Sequence, residues 1–192
     1  RREASAARAC VRASSRTLDC IVMSPNHTAA VAVRLELLAK LIGFAVLQVQ
    51  ALESASAEYL VLRSKAKRGM GASEASALIE RAKREPFGIT VGGMAKAGLL
   101  SSELELRFRN VLKERNWLIH RSRSDNSAAM RSDEATSALL QRVQGIADDS
   151  VSLIREISEL TTAFVRDAGV SQVAIDAATR DITLAWERND AI

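Results

Sequence analysis

The segment from Thr28 to Ser64 constrains the fold most, because it lacks proline and its apolar side chains recur at the 3.6-residue spacing of an α-helix. The whole chain has only 2 prolines and 9 glycines in 192 residues, and 47% of its residues are hydrophobic. This composition argues against a β-sandwich or β-barrel and excludes a chain that is disordered throughout. The apolar positions of the segment are Val33, Leu37, Leu41, Phe44, Leu47, Leu52, Tyr59 and Leu62.

Apolar periodicity and capping residues predict four further helices. Ser73, Ser101 or Ser102, Ser132 or Asp133, and Ser171 are candidate N-terminal caps, and Pro86 and Gly169 are stop signals. The predicted ranges are 73–84, 100–120, 133–167 and 172–186, with a glycine-rich connector at 87–94 and a polar break at 122–126. We therefore expect an all-α protein, a four- to five-helix up-down bundle, in a single helical domain over residues 28–190.

Residues 1–27 are expected to form a disordered basic tail, since nothing before Met23 shows helical or strand periodicity. Residues 1–22 contain five arginines and two acids and so carry most of the chain's net charge of +4. The composition is typical of an organelle transit peptide. The alternative interpretation is a segment that lies upstream of a true start at Met23.

A reducing, cytoplasmic compartment is expected, because the only two cysteines, Cys10 and Cys20, suggest neither a disulfide scaffold nor a metal cage. The apolar run over residues 29–51 resembles a membrane span in composition. However, Arg34, Glu36 and Lys40 interrupt it, and charges at mid-span are costly. A long core helix without membrane contact explains the run better.

The helix over residues 100–120 carries the candidate chemistry. At about 100° per residue, Arg115 falls near the middle of its apolar face, where an unpaired charge is expensive to bury. Arg115 must therefore reach an acidic partner, such as Glu156 or Glu159, or face a cleft. The neighbouring face presents Glu105, Arg109, Lys113, Asn116 and His120. Asn116 and His120 lie four residues apart, so both can contact one ligand.

The run from Glu114 to His120, Glu-Arg-Asn-Trp-Leu-Ile-His, resembles the R-x4-6-H motif of HEPN-domain proteins. Many members of this family are small helical bundles that cleave RNA without a metal. The resemblance implies a homodimer in which both motifs face one groove, with Arg115, Asn116 and His120 as catalytic residues and with no metal or cofactor. It also implies a toxin or phage-defence effector restrained by an antitoxin, such as a nucleotidyltransferase-like protein.

The implied chemistry is physically coherent. The 2′-hydroxyl of RNA can attack the adjacent phosphorus if one group takes its proton, another protonates the leaving oxygen, and positive charge stabilises the phosphorane. One histidine cannot be acid and base at once, so a symmetric dimer would supply His120 twice. Arg115 would stabilise the phosphorane and Asn116 would orient the phosphate or His120. The residues expected to hold the RNA backbone are Arg109, Lys113, Arg121 and Arg123.

Each of these residues also has a structural interpretation. His120 can be a partner of the helix dipole, and Arg115 can fix the helix register through a carboxylate. Trp117 can pack in the core or stack on a base. The alternative function is a non-catalytic helical module that binds RNA or protein, and a third interpretation is a purely structural bundle whose exposed helix faces dimerise. An imidazole in open solvent, together with a guanidinium held inside by a carboxylate, would favour that structural interpretation.

Overall fold

The computed structural model describes residues 25–67, 69–125, 129 and 131–188, and every regular secondary-structure element in these ranges is helical. The all-α prediction is therefore confirmed. Most of the predicted tail, residues 1–24, lies outside the described residues, as do residues 189–192. The helices are α1 (Pro25–Ser64), α2 (Ala72–Lys83), α3 (Phe87–Lys96), α4 (Ser102–His120), α5 (Ser122–Asp125), α6 (Asp133–Asp167) and α7 (Gln172–Glu187).

The two longest helices, α1 and α6, lie side by side and run parallel. Arg34 near the start of α1 pairs with Asp133 at the start of α6. Near the ends of the two helices, the guanidinium of Arg63 lies 4.6 Å from the centroid of the Phe164 ring. Helices α2, α3 and α4 return the chain to the starting end of α1. The parallel pair therefore does not conflict with the predicted up-down order, in which helices that follow one another along the chain run antiparallel.

In the described ranges the core contains two clusters of buried side chains, one toward each end of α1. The first cluster joins the N-terminal half of α1 to the C-terminal end of α4 and the first half of α6. The second joins the C-terminal half of α1 to α3, the start of α4 and the second half of α6. Their members include Leu38, Val49, Trp117, Leu118, Leu139 and Ile146 in the first cluster, and Leu52, Tyr59, Phe87, Met94, Phe108, Leu153 and Ile157 in the second.

The predicted connector at 87–94 is wrong, because this segment forms most of helix α3. Phe87, Val91 and Met94 recur at helical spacing and are buried together in the second cluster. Glycine at position 93 permits close packing on α1, since a Cβ there would lie 3.1 Å from Cδ2 of Leu60. Burial of an apolar face therefore outweighs the low helix propensity of glycine.

The helix boundaries agree with most of the predicted caps. The side chains of Ser101 and Ser132 accept hydrogen bonds from the first turns of α4 and α6, as expected. Helix α2, however, begins at Ala72 after Gly71, so Ser73 is not its cap. The predicted polar break at 122–126 also contains the short helix α5.

Helix α2 is attached to α1 by an ion pair in which Nζ of Lys83 lies 2.9 Å from Oε1 of Glu58. The hydrogen bond to Glu58 raises the pKa of Lys83 above its ordinary value. A raised folded-state pKa stabilises the fold below the unfolded value and loses this effect as the pH rises through the folded value.

We therefore expect Lys83→Met to lower the free energy of unfolding by less than about 1 kcal/mol at pH 8. The difference from wild type should shrink above pH 11, and urea unfolding at both pH values measures it. An equal difference at both pH values would show that the pair contributes through packing instead.

Candidate functional site

The exposed face of α4 carries the predicted row of polar residues. The side chains of Arg109, Lys113, Asn116 and His120 are all exposed, and Glu105 is half-buried. At a rise of about 1.5 Å per residue, the exposed part of the row from Arg109 to His120 extends over roughly 16 Å. The opposite side of α4, with Leu104, Phe108, Val111 and Leu118, is buried as the helical wheel predicts, but the wheel misplaces Trp117, which is buried, and Ile119, which is 46% exposed.

Arg115 reaches an acidic partner on α1. Its guanidinium is half-buried, and Nε donates a hydrogen bond to Oε1 of Glu53 on α1 at 2.8 Å. Nη1 donates to Oδ1 of Asn116 at 3.3 Å. Arg115 therefore links α4 to α1 and to the exposed row. A guanidinium has five N–H donors, so these two bonds leave three for other acceptors.

The predicted carboxylate partners of Arg115 are wrong. Glu156 pairs with Arg107, which lies on a different side of α4. Helix α6 packs on the side that carries Arg107 and Glu114, whereas Arg115 faces α1. The sequence placed Arg115 on the apolar face but did not tell which neighbouring helix covers that side. The sequence signal that could have identified Glu53 as the partner is its position directly after Leu52, an apolar residue of α1 that is buried.

His120 is the last residue of α4, and its side chain is exposed. A histidine in this position is favourable for the helix dipole. In an isolated chain the imidazole therefore faces solvent while a carboxylate holds the nearby guanidinium. This is the arrangement that favours a structural interpretation, and a catalytic site requires further groups from a second chain.

The cations expected to hold RNA are spread along and beyond α4. Arg109 donates two hydrogen bonds to Oε1 of Glu105, at 2.8 and 2.6 Å, so its charge is partly compensated. Lys113 and Arg123 have exposed side chains. Arg121 is the C-terminal cap residue of α4 and is also exposed. All four side chains are therefore at the surface, over a stretch that runs from the middle of α4 to α5.

Trp117 packs in the core and is not available as a base-stacking platform. Its side chain is buried in the first cluster, and the guanidinium of Arg142 lies 3.4 Å from the ring centroid. Glu114 holds Arg142 in place, with Nε of Arg142 donating to Oε2 at 2.7 Å. Of the two interpretations of Trp117, the structure supports packing.

The described residues contain no group of three or more histidine, cysteine, aspartate or glutamate side chains that could hold a metal ion. Within the same ranges, no helix is long and apolar enough to cross a membrane. Comparison with known proteins adds no further assignment, because the chain matches no protein family, no curated protein and no solved structure.

Proposed function

We propose that the protein is a metal-independent endoribonuclease of HEPN type that acts as a homodimer. One observation carries the proposal: Lys113, Asn116 and His120 all lie exposed on one face of α4, within two helical turns of one another. The hydrogen bond from Arg115 to Asn116 supports it further, because it orients the amide of Asn116, which lies about one helical turn before His120.

In this mechanism the RNA supplies its own nucleophile. The 2′-hydroxyl oxygen bonds to the adjacent phosphorus, the bond to the 5′-oxygen breaks, and a 2′,3′-cyclic phosphate and a 5′-hydroxyl result. One His120 imidazole takes the hydroxyl proton, and the His120 imidazole of the second copy protonates the departing oxygen. Arg115 acts chiefly through Asn116, as a positioning residue, because its Nε is bound to Glu53.

A second candidate function is a non-catalytic module that binds RNA or protein through the same face of α4. The pair between Arg115 and Glu53 favours it, because this pair explains the guanidinium in the apolar face without any substrate. In this alternative His120 only ends the helix. Binding of RNA then does not require the imidazole.

The cellular setting forms part of the proposal. A ribonuclease of this type acts on cytoplasmic RNA as a toxin or defence effector, and an antitoxin protein that covers the exposed face of α4 would restrain it. The resemblance of residues 114–120 to the HEPN motif is the support for this role.

The test is cleavage of a short labelled RNA in the presence of EDTA. We expect cleavage to persist without divalent metal and to leave 2′,3′-cyclic phosphate or 3′-phosphate ends. An oligonucleotide with one 2′-deoxy sugar at the cleaved position is the matched control, and it should resist cleavage there. RNA binding without cleavage would support the non-catalytic module instead.

A further inference from the structure

The N-terminal half of α1 presents an apolar stripe to solvent, which we call the outer stripe. It consists of Val33, Leu37, Phe44 and Leu47, which are 66%, 44%, 44% and 63% exposed. Their spacing places them on one side of the helix. A helix that is apolar on all sides is normally buried, and contiguous exposed apolar surface usually contacts a partner.

Farther along α1, helix α2 covers the same face. Glu58 lies fourteen residues after Phe44, which is almost four full turns, so both residues point to the same side. Glu58 pairs there with Lys83 of α2. Among the described residues nothing covers the outer stripe, which continues the face of α1 that α2 covers farther along.

The charged residues within the outer stripe would be complementary to those of a second copy of the stripe. Glu36 and Lys40 lie between its apolar residues, 2.7 Å apart and largely exposed. In an antiparallel contact about a two-fold axis at the level of Leu38, Glu36 of each copy lies opposite Lys40 of the other. The same register places Leu47 opposite Ala29. An axis at the level of Lys40 would instead bring two lysines together.

From this complementarity we propose that a second copy of the chain packs antiparallel on the outer stripe and forms a two-fold symmetric dimer. The same patch serves both copies, as a two-fold contact requires. The register is fixed because small residues lie opposite large ones and opposite charges face each other.

This contact is separate from the one that the proposed cleavage needs. Phe44 lies nine residues before Glu53, which is two and a half turns, so the outer stripe faces away from the side of α1 that holds Arg115. The α1 dimer therefore leaves the exposed face of α4 open. The proposed α1 dimer therefore does not depend on the proposed function.

Sedimentation equilibrium of the full chain over a range of concentrations tests the dimer. Glu36→Lys and Lys40→Glu each place two like-charged pairs in the contact, and we expect each to raise the dimer Kd about tenfold. The double variant E36K/K40E restores both opposite pairs and should return the Kd close to the wild-type value. Without this recovery the antiparallel register is overturned.

Phe44→Glu should raise the dimer Kd by about 100-fold or more, because each copy loses an apolar contact. The matched control is Leu106→Glu, which alters a side chain 59% exposed on α4 and should leave the dimer unchanged. Circular dichroism checks that both variants keep the helical fold. If Leu106→Glu dissociates the dimer and Phe44→Glu does not, the contact uses α4 and the proposal is overturned.

A wild-type chain that remains monomeric also overturns it. In that case a disulfide between Leu47→Cys and Cys10 or Cys20 would assign the outer stripe to residues 1–24 of the same chain.

Discussion

Replacing His120 with alanine is expected to lower the rate of RNA cleavage by about 10²- to 10⁴-fold, the usual contribution of a general acid or base. In the symmetric mechanism one substitution removes both groups, since each chain supplies one imidazole. The side chain is exposed at the end of α4, so the free energy of unfolding should change by no more than about 1 kcal/mol. Single-turnover cleavage and urea unfolding of the same preparation measure the two effects.

The only other histidine, His27, provides the matched control. His27→Ala should keep the wild-type cleavage rate, and purifying both variants in parallel excludes a contaminating nuclease. If His120→Ala cleaves as fast as the wild type, the exposed imidazole has no catalytic role.

Lys113→Ala should weaken RNA binding at all sequences and reduce its salt dependence by about one released counterion.

The helices themselves were largely predictable from the sequence because their signals are local. The apolar periodicity of α1 and α6 and the caps at Ser101 and Ser132 depend on neighbours within a few residues. Helix α3 was missed because its glycines suggest a loop, and only burial of Phe87 and Met94 against other helices outweighs that preference. The parallel contact of α1 with α6 depends on residues about 100 positions apart, which periodicity does not reveal.

The candidate site was predictable to the same extent. The exposed row with Asn116 and His120 follows from the helical wheel of α4, and the structure places it on the surface. The anomaly of Arg115 in the apolar face was also visible, as was its need for a carboxylate. The identity of that carboxylate, Glu53, depends on which helix lies beside α4 and so required the structure.

Alanine substitutions of Arg115 and Glu53, made singly and together, measure the structural role of Arg115 apart from its proposed role in positioning Asn116. Each single alanine substitution should lower the free energy of unfolding by about 1–3 kcal/mol, between the values for exposed and buried ion pairs. The double variant should cost less than the sum of the two, with a coupling of about 1 kcal/mol. Urea unfolding of the four proteins measures this cycle, and strict additivity would contradict the pair.

Arg115→Lys then divides the two roles. Lysine retains a cation for Glu53 but lacks the planar fork that also reaches Asn116. If Arg115 positions the amide for a phosphodiester, this variant should keep most of the stability of the wild type and still lose about tenfold or more in cleavage rate. If the guanidinium serves only to join α4 to α1, the cleavage rate should remain unchanged. A normal rate in a stable Arg115→Lys protein would therefore remove Arg115 from the mechanism and leave it as a link between two helices.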